Sequence, residues 1–423
     1  MKRKHLLTLT ILAIAFALPI VAQAQQKTLQ YFRPYDQRGV NVFETTKDPG
    51  VAYEGFEIYW GGAFTQQFQS INHDNANPTG SPENELLDIG GGFNLATANL
   101  LLGVQLAEGI QVNLNTYLSS QHHPESWVKG GFLQVDKFSM INSERLDNIM
   151  DYVTLRLGHM EINYGDAHYR RTDNGMAMYN EFVGNMIMDS FTTEIGGEVY
   201  VQKDGILGMI GITDGELRGR VDNPDKRAPS IYGKLAFDRE VQDDLRVRLS
   251  GSFYTTSGSV FANNLYGGDR AGTRFYDVLV NGSGDSFTNG RINPRFAKQD
   301  AFQINPFVQF KNFEVHGLFE TVTGDDDRGG PEYTYDQYAV DGIVRFLKDR
   351  SAYVGFRWNT VEGEAGFGDF SSDRVQVAAG WFATPNILLK INYVDQQFDD
   401  YPTTSILHEG SFDGITIEGV VAF

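Results

Sequence analysis

The chain has 423 residues, 35 Lys+Arg against 54 Asp+Glu, and no cysteine, with 46 Gly, 30 Phe and 20 Tyr but only 13 Pro. So acidic a surface repels phosphate, which argues against nucleic acid as a partner, and without cysteine no disulfide can hold a secreted fold together. Mean hydropathy is slightly polar although 41% of the residues are hydrophobic, the balance of a transmembrane barrel that shows apolar residues to lipid and polar ones to its lumen.

Met1-Lys2-Arg3-Lys4 is a short basic segment, Leu6 to Val21 is almost wholly apolar, and Ala22-Gln23-Ala24 places small residues at the two positions a signal peptidase reads. Residues 1–24 are therefore expected to be a secretory signal peptide, cleaved after Ala24. Its removal takes away three cations and no acid, so the formal charge moves from −19 to −22. No later run is long and apolar enough for a membrane helix. Residues 25–55, from Gln25 through Pro34 and Pro49, read as a polar lead-in, a periplasmic tail or plug-like segment.

From Phe56 onward the pattern takes period 2. Ile110, Val112, Leu114, Thr116 and Leu118 alternate with Gln111, Asn113, Asn115 and Tyr117, and similar alternation recurs at 245–253, 352–360 and 415–423. Such runs are strands with one polar face, long enough to cross hydrocarbon when tilted. Sixteen are expected: 56–69, 93–106, 109–119, 128–139, 151–163, 191–202, 205–214, 229–238, 245–256, 300–310, 313–323, 335–347, 351–362, 373–383, 386–397 and 411–423. A further hairpin within 257–299 would make eighteen, and Leu146, Ile149 and Met150 could mark a short helical turn.

Tight turns such as Ala107-Glu108-Gly109, Lys203-Asp204-Gly205 and Thr384-Pro385-Asn386 alternate with long polar connections at 70–89, 119–127, 164–190, 215–228, 257–299, 324–334, 363–372 and 398–410. The fold class is thus all-β: a transmembrane antiparallel β-barrel over 56–423, with short periplasmic turns and long extracellular loops. An even count lets the first and last strands pair, leaving no edge in lipid. The last strand carries Ile415, Ile417, Gly419, Val421 and Phe423 on one face. It looks like the insertion signal that the barrel-assembly machinery recognises.

The stretches Asn163-Tyr164-Gly165-Asp166-Ala167-His168-Tyr169-Arg170-Arg171, Asp189-Ser190-Phe191-Thr192-Thr193-Glu194 and Tyr31-Phe32-Arg33-Pro34 resemble the porins of the Bacteroidota and related phyla. The resemblance implies a passive channel on a porin-type barrel and supplies no functional residue to carry over.

Alternation assigns a lumen face. Its cations are Arg156, Lys234, Arg246, Arg248, Arg345, Arg357, Arg374 and Lys390; its anions are Glu194, Glu198, Asp238, Glu314, Glu320, Asp341 and Glu418. Opposed arcs of charge would set up a transverse field that polar solutes cross; the plainer reading is that the charges pair along a wet wall. Loop 164–190 is the expected constriction, with Asp166, Arg170, Arg171, Asp173 and Glu181 beside apolar Met176, Met178, Phe182, Met186, Ile187 and Met188, which need burial. Neutralising Arg170 and Arg171 should then shift selectivity toward cations.

His122-His123 and Asp325-Asp326-Asp327 read as solvated loops, so no metal or cofactor is expected, and no nucleophile motif occurs. The expected function is an outer-membrane porin passing small hydrophilic solutes or ions, embedded in the outer-membrane bilayer, with a homotrimer possible. The alternatives are a barrel enzyme using residues such as His159, Glu161 or Ser190, or a structural or adhesive barrel without conductance. Conductance in planar bilayers separates these readings.

Overall fold

The computed structural model describes residues 28–120, 126–214, 221, 224–259, 265–267, 274–282, 286–325 and 330–423. The signal-peptide segment 1–24, His122-His123 and Asp326-Asp327 lie outside them. Among the described residues the chain forms sixteen long antiparallel strands: β1 Glu57–Asp74, β2 Thr97–Ala107, β3 Ile110–Ser119, β4 Trp127–Val135, β5 Val153–Glu161, β6 Thr193–Lys203, β7 Ile206–Thr213, β8 Ser230–Gln242, β9 Leu245–Thr256, β10 Lys298–Phe310, β11 Phe313–Asp325, β12 Tyr333–Phe346, β13 Ala352–Ala365, β14 Gly368–Thr384, β15 Ile387–Asp399 and β16 Ser411–Ala422. A two-residue piece, Gly92–Phe93, pairs with Phe68 and Gln69 of β1.

The sheet closes on itself. β1 pairs with β16 from Ala63 opposite Ala422 to Asp74 opposite Ser411, while its first half pairs with β2. The sheet therefore has no free first or last strand, as a barrel crossing hydrocarbon needs.

Alternation decides which way each residue points. In β15, Leu388, Lys390, Asn392, Val394, Gln396 and Phe398 are buried, while Leu389, Ile391 and Tyr393 are exposed. The outward set around the barrel is apolar and ends in an aromatic rim that includes Trp60, Trp381 and Phe423, the arrangement of a lipid-facing belt. Leu235 is 73% exposed on this face near the middle of β8. Leu235→Arg is expected to cost about 2–4 kcal/mol, read as an earlier urea midpoint for protein folded into vesicles.

The long connection expected at 363–372 is absent. β13 and β14 continue past the expected strand ends, with Gly363 opposite Phe370 and Ala365 opposite Gly368, and turn tightly there. Residues 136–152, between β4 and β5, instead form a longer short-end connection carrying α1, Glu144–Met150, capped by the Ser143 side chain accepting from the Leu146 amide.

One irregularity positions the interior. Pro306 lies inside β10 and cannot donate to a ladder. The β10–β11 pairing skips from Ile304–Phe319 to Phe307–His316. Gly317 occupies the gap, where a side chain would strike the Pro306 ring. Asn305 reaches across instead: its Nδ2 donates to the Gly317 carbonyl at 3.3 Å, and its Oδ1 accepts the amide of Asp166 at 2.8 Å.

Candidate functional site

Among the described residues, three segments enter the barrel. The first is the loop between β5 and β6. From Ile162 to Glu194 only Ala167, Tyr169 and Asp173 are not buried. An irregular backbone inside a barrel needs hydrogen-bond partners, since its own groups form no ladder. The wall supplies them. Lys390 Nζ donates to the carbonyls of Ala177, Asn180 and Phe182 at 3.0–3.2 Å, and sits 2.7 Å from Glu418. Gln337 accepts the Met188 amide and donates to the Met188 carbonyl, both at 2.8 Å. Asn359 accepts the Ile187 amide at 2.7 Å, and Gln376 donates to the Val183 carbonyl at 2.6 Å.

The second is the lead-in. Three side chains spaced three residues apart lock it to the wall. Asn41 donates to Glu314 at 2.9 Å and accepts from Arg170. Glu44 lies 2.8 Å from Arg248 and 3.2 Å from Lys234. Lys47 donates to the Val153 carbonyl at 2.8 Å and pairs with Asp136 at 3.2 Å.

The third comes from the loop between β9 and β10. Gln67 donates to the Arg274 carbonyl and Gln69 to the Tyr276 carbonyl, both at 2.8 Å. Arg374 ties two insertions together, with Nη1 on the Asn185 carbonyl and Nη2 on the Gly290 carbonyl, each at 2.5 Å. No further hairpin forms among the described residues of 257–299.

These insertions occupy part of the lumen. Most residues expected to line the pore point inward, but they are spent on holding the inserted chain or one another. Asp166 is gripped by Arg248 at 2.7 and 2.8 Å, Lys234 at 3.1 Å and Ser250 at 2.7 Å. Glu181 joins Arg170 and Arg345, Glu314 joins Arg345, and Asp341 joins Arg357. Arg246 pairs with Asp238 at 2.6 Å. Glu194 and Glu198 accept from Tyr254 and Tyr232, each at 2.9 Å, and Glu320 accepts from Tyr266 at 3.0 Å. Of the constriction residues, Asp166, Arg170, Arg171 and Glu181 are all buried, and of these Arg171 also borders the cavity beside β2–β5. Arg170 is thus a poor lever on selectivity.

An off-centre cavity of about 240 Å³ remains between β2–β5, the lead-in and the loop. Arg156, Arg171 and Asp173, all assigned from sequence, face it. Lys129, Arg33, His159, Glu161 and His168 join them. Lys129 gets there through a β-bulge: Asn115 pairs with Gly130 and Thr116 with Val128, so Lys129 is the extra residue and turns inward. Its Nζ lies 3.6 Å above the Phe191 ring and 3.4 Å from Asp173. Arg171 stacks on the same ring at 3.7 Å and pairs with Asp189 at 2.6 Å. Phe32, Arg33, His168, Tyr169 and Arg171 line the cavity together, and Phe191 lies under Lys129 and Arg171.

Sequence reading missed Lys129, because a bulge breaks the alternation that assigns faces. It also missed Glu44 and Lys47. The Asn41, Glu44, Lys47 spacing was visible, but nothing local says what it would touch. Of the residues considered for an enzyme, His159 bonds to Thr193 at 3.0 Å, Glu161 to His168 at 2.5 Å and Ser190 to Gln303 at 3.0 Å; these bonds do not link the three into one relay.

Burial by itself would raise the Glu44 and Asp166 carboxyls. The Lys234 and Arg248 charges more than offset it for Glu44, and Arg248 and Lys234 do so for Asp166, so both lie below the ordinary carboxylate range. Depressed carboxylates stabilise the fold fully above the unfolded value near about 4, and the contribution is lost as pH falls through the folded values. The lead-in is therefore expected to loosen only in strong acid. Limited digestion should clip residues 28–50 at about pH 2, where Glu44 gains its proton, but not with a neutral protease at pH ~7; equal resistance at both would contradict this anchoring.

Neither a family model nor a curated protein matches this chain. Solved structures do. The loop L8 deletion mutant of OmpT, an outer membrane protein of Vibrio cholerae, aligns over 88% of this chain and 100% of its own, with a TM-score of 0.53 and 11% identity. The anion-selective porin from Comamonas acidovorans aligns over 87% and 100%, at 0.53 and 12%. The outer membrane channel DcaP of Acinetobacter baumannii aligns over 88% and 99%, at 0.53 and 8%. Identities this low establish architecture, and the architecture is that of a closed sixteen-stranded outer-membrane β-barrel.

Proposed function

We propose that this protein is a passive outer-membrane channel that passes small hydrophilic solutes or ions through the off-centre cavity beside β2–β5. One observation carries the reading: the inserted loop is tied to the β10–β15 wall, which leaves a cavity rimmed by Lys129, Arg156, Arg171 and Asp173 against the opposite wall. That several solved barrels of this architecture are porins or channels supports it. In this reading the protein is not an enzyme and uses no cofactor. Residues 1–24 direct secretion, and the barrel-assembly machinery receives the strand ending at Phe423. Three copies associate, as in the trimer form of the Vibrio cholerae protein.

Purified protein in planar bilayers is expected to give discrete open steps, and Arg171→Gln is expected to move the reversal potential toward cation preference. Absence of any step would sink the channel reading. It would favour a structural barrel, the reading to which the three inserted segments lend weight.

A further inference from the structure

The charge around the cavity runs against the charge of the chain. Lys129 and Arg171 are offset by Asp173 and Asp189, while Glu161, bonded to a His168 whose burial favours the neutral imidazole, stays an anion at the cavity. Two guanidinium groups remain, and both bond only to neutral groups. Arg33 donates to the carbonyls of Gly39 and Tyr169 at 2.9 Å and stacks on Tyr179 at 3.7 Å. Arg156 donates from Nε to Gln134 at 2.9 Å and from Nη1 to the Tyr200 hydroxyl at 3.2 Å. Its Nη2 has no protein partner among the described residues. A half-buried guanidinium that keeps one arm of its fork toward a cavity is a ready carboxylate receptor.

The walls beside Arg156 are aromatic. The Phe132 ring lies 5.6 Å from its guanidinium carbon. Phe32, packed 4.6 Å from Tyr59, faces the cavity from the lead-in, with Tyr31 and Tyr35. A volume of about 240 Å³ falls below the roughly 300–1,000 Å³ of sites for drug-sized ligands. It suits a solute of one ring.

We propose that this cavity binds a small aromatic carboxylate, with the carboxylate on Arg156 and the ring against Phe132 and Phe32. Arg33 adds to the positive potential that draws the anion in. The assignment rests on the channel reading only for its biological sense, since binding can be measured without transport.

The test titrates detergent-solubilised full-length protein with benzoate, acetate and benzylammonium by calorimetry, alongside single-channel recording. Benzoate is expected to bind, acetate more weakly, and benzylammonium not at all. Arg156→Gln should weaken benzoate about tenfold, the loss of one charge-assisted hydrogen bond, while Arg156→Lys recovers part of it. Should Arg156→Gln fail to fold, judged by heat-modifiable gel mobility, Phe132→Ala carries the test: it should weaken benzoate and leave acetate unchanged. Benzoate binding without open steps upholds the site and removes the channel. Open steps without benzoate binding, equal binding of benzylammonium, or full affinity in Arg156→Gln overturns the site and leaves the channel standing.

Discussion

Excision of residues 28–50 is expected to raise single-channel conductance several-fold. The lead-in fills the lumen beside the cavity through Tyr31, Phe32, Arg33 and Tyr35. Its anchors are side chains rather than ladder bonds: Asn41 on Glu314, Glu44 on Lys234 and Arg248, and Lys47 on Asp136. The barrel does not need it for closure, because β1 begins at Glu57 and pairs with β2 and β16 by itself. Without it Lys234 and Arg248 keep Asp166, so no buried cation is stranded and the wall should hold. The variant is recorded in planar bilayers beside the intact protein. Unchanged step size would mean that the lead-in does not obstruct the path. A milder form of the experiment, Asn41→Ala with Glu44→Ala, should give intermittent larger steps as the segment detaches and returns.

Asp166→Ala should be the most damaging single change within the inserted loop. Its carboxylate is fully buried between Arg248 and Lys234, and its amide is held by Asn305. Removing one partner of a buried ion pair costs about 3–5 kcal/mol, because the remaining charges are left in a low-dielectric site. Here two cations would be left with Glu44 and, for Arg248, Asp238 at 3.3 Å. The loss should appear first where the structure is least tied to the ladder. Hydrogen exchange is expected to accelerate across residues 164–190, while β10–β15 stay protected. Adding Lys234→Met to Asp166→Ala should return much of the lost protection, since deleting both members of a buried pair leaves less uncompensated charge than deleting one. If the single variant exchanges like the wild-type loop, the anchoring lies elsewhere.

The strands were legible because lipid on one side and polar chain on the other impose a period of two along every wall segment. The expected run 205–214 is Ile206–Thr213, and 245–256 is Leu245–Thr256. The miss at 363–372 has the same root. Glu362-Gly363-Glu364-Ala365-Gly366 carries charge and glycine, which read as a loop. Glu362 to Ala365 nonetheless continue the β13–β14 ladder, where both faces tolerate polar residues and alternation no longer reports a strand. The interior was less legible. Apolar Met176, Met178 and Phe182 pointed to burial of loop 164–190, and those three side chains are buried. Which wall it would meet was not written in it.

The sequence by itself determined the barrel: alternation, turn chemistry and an even strand count are local properties, and closure follows from the need to satisfy every backbone group in lipid. Only the tertiary structure decided what fills it. Arg374 serves Asn185 and Gly290, 189 and 84 residues away in the chain. Lys234 serves Glu44, 190 residues away. Charges that alternation could place on the lumen face but could not pair became anchors for inserted chain. Pairing depends on distance across the barrel, which no local pattern encodes, and that distance left Arg156 on Gln134 and Tyr200 at the cavity wall.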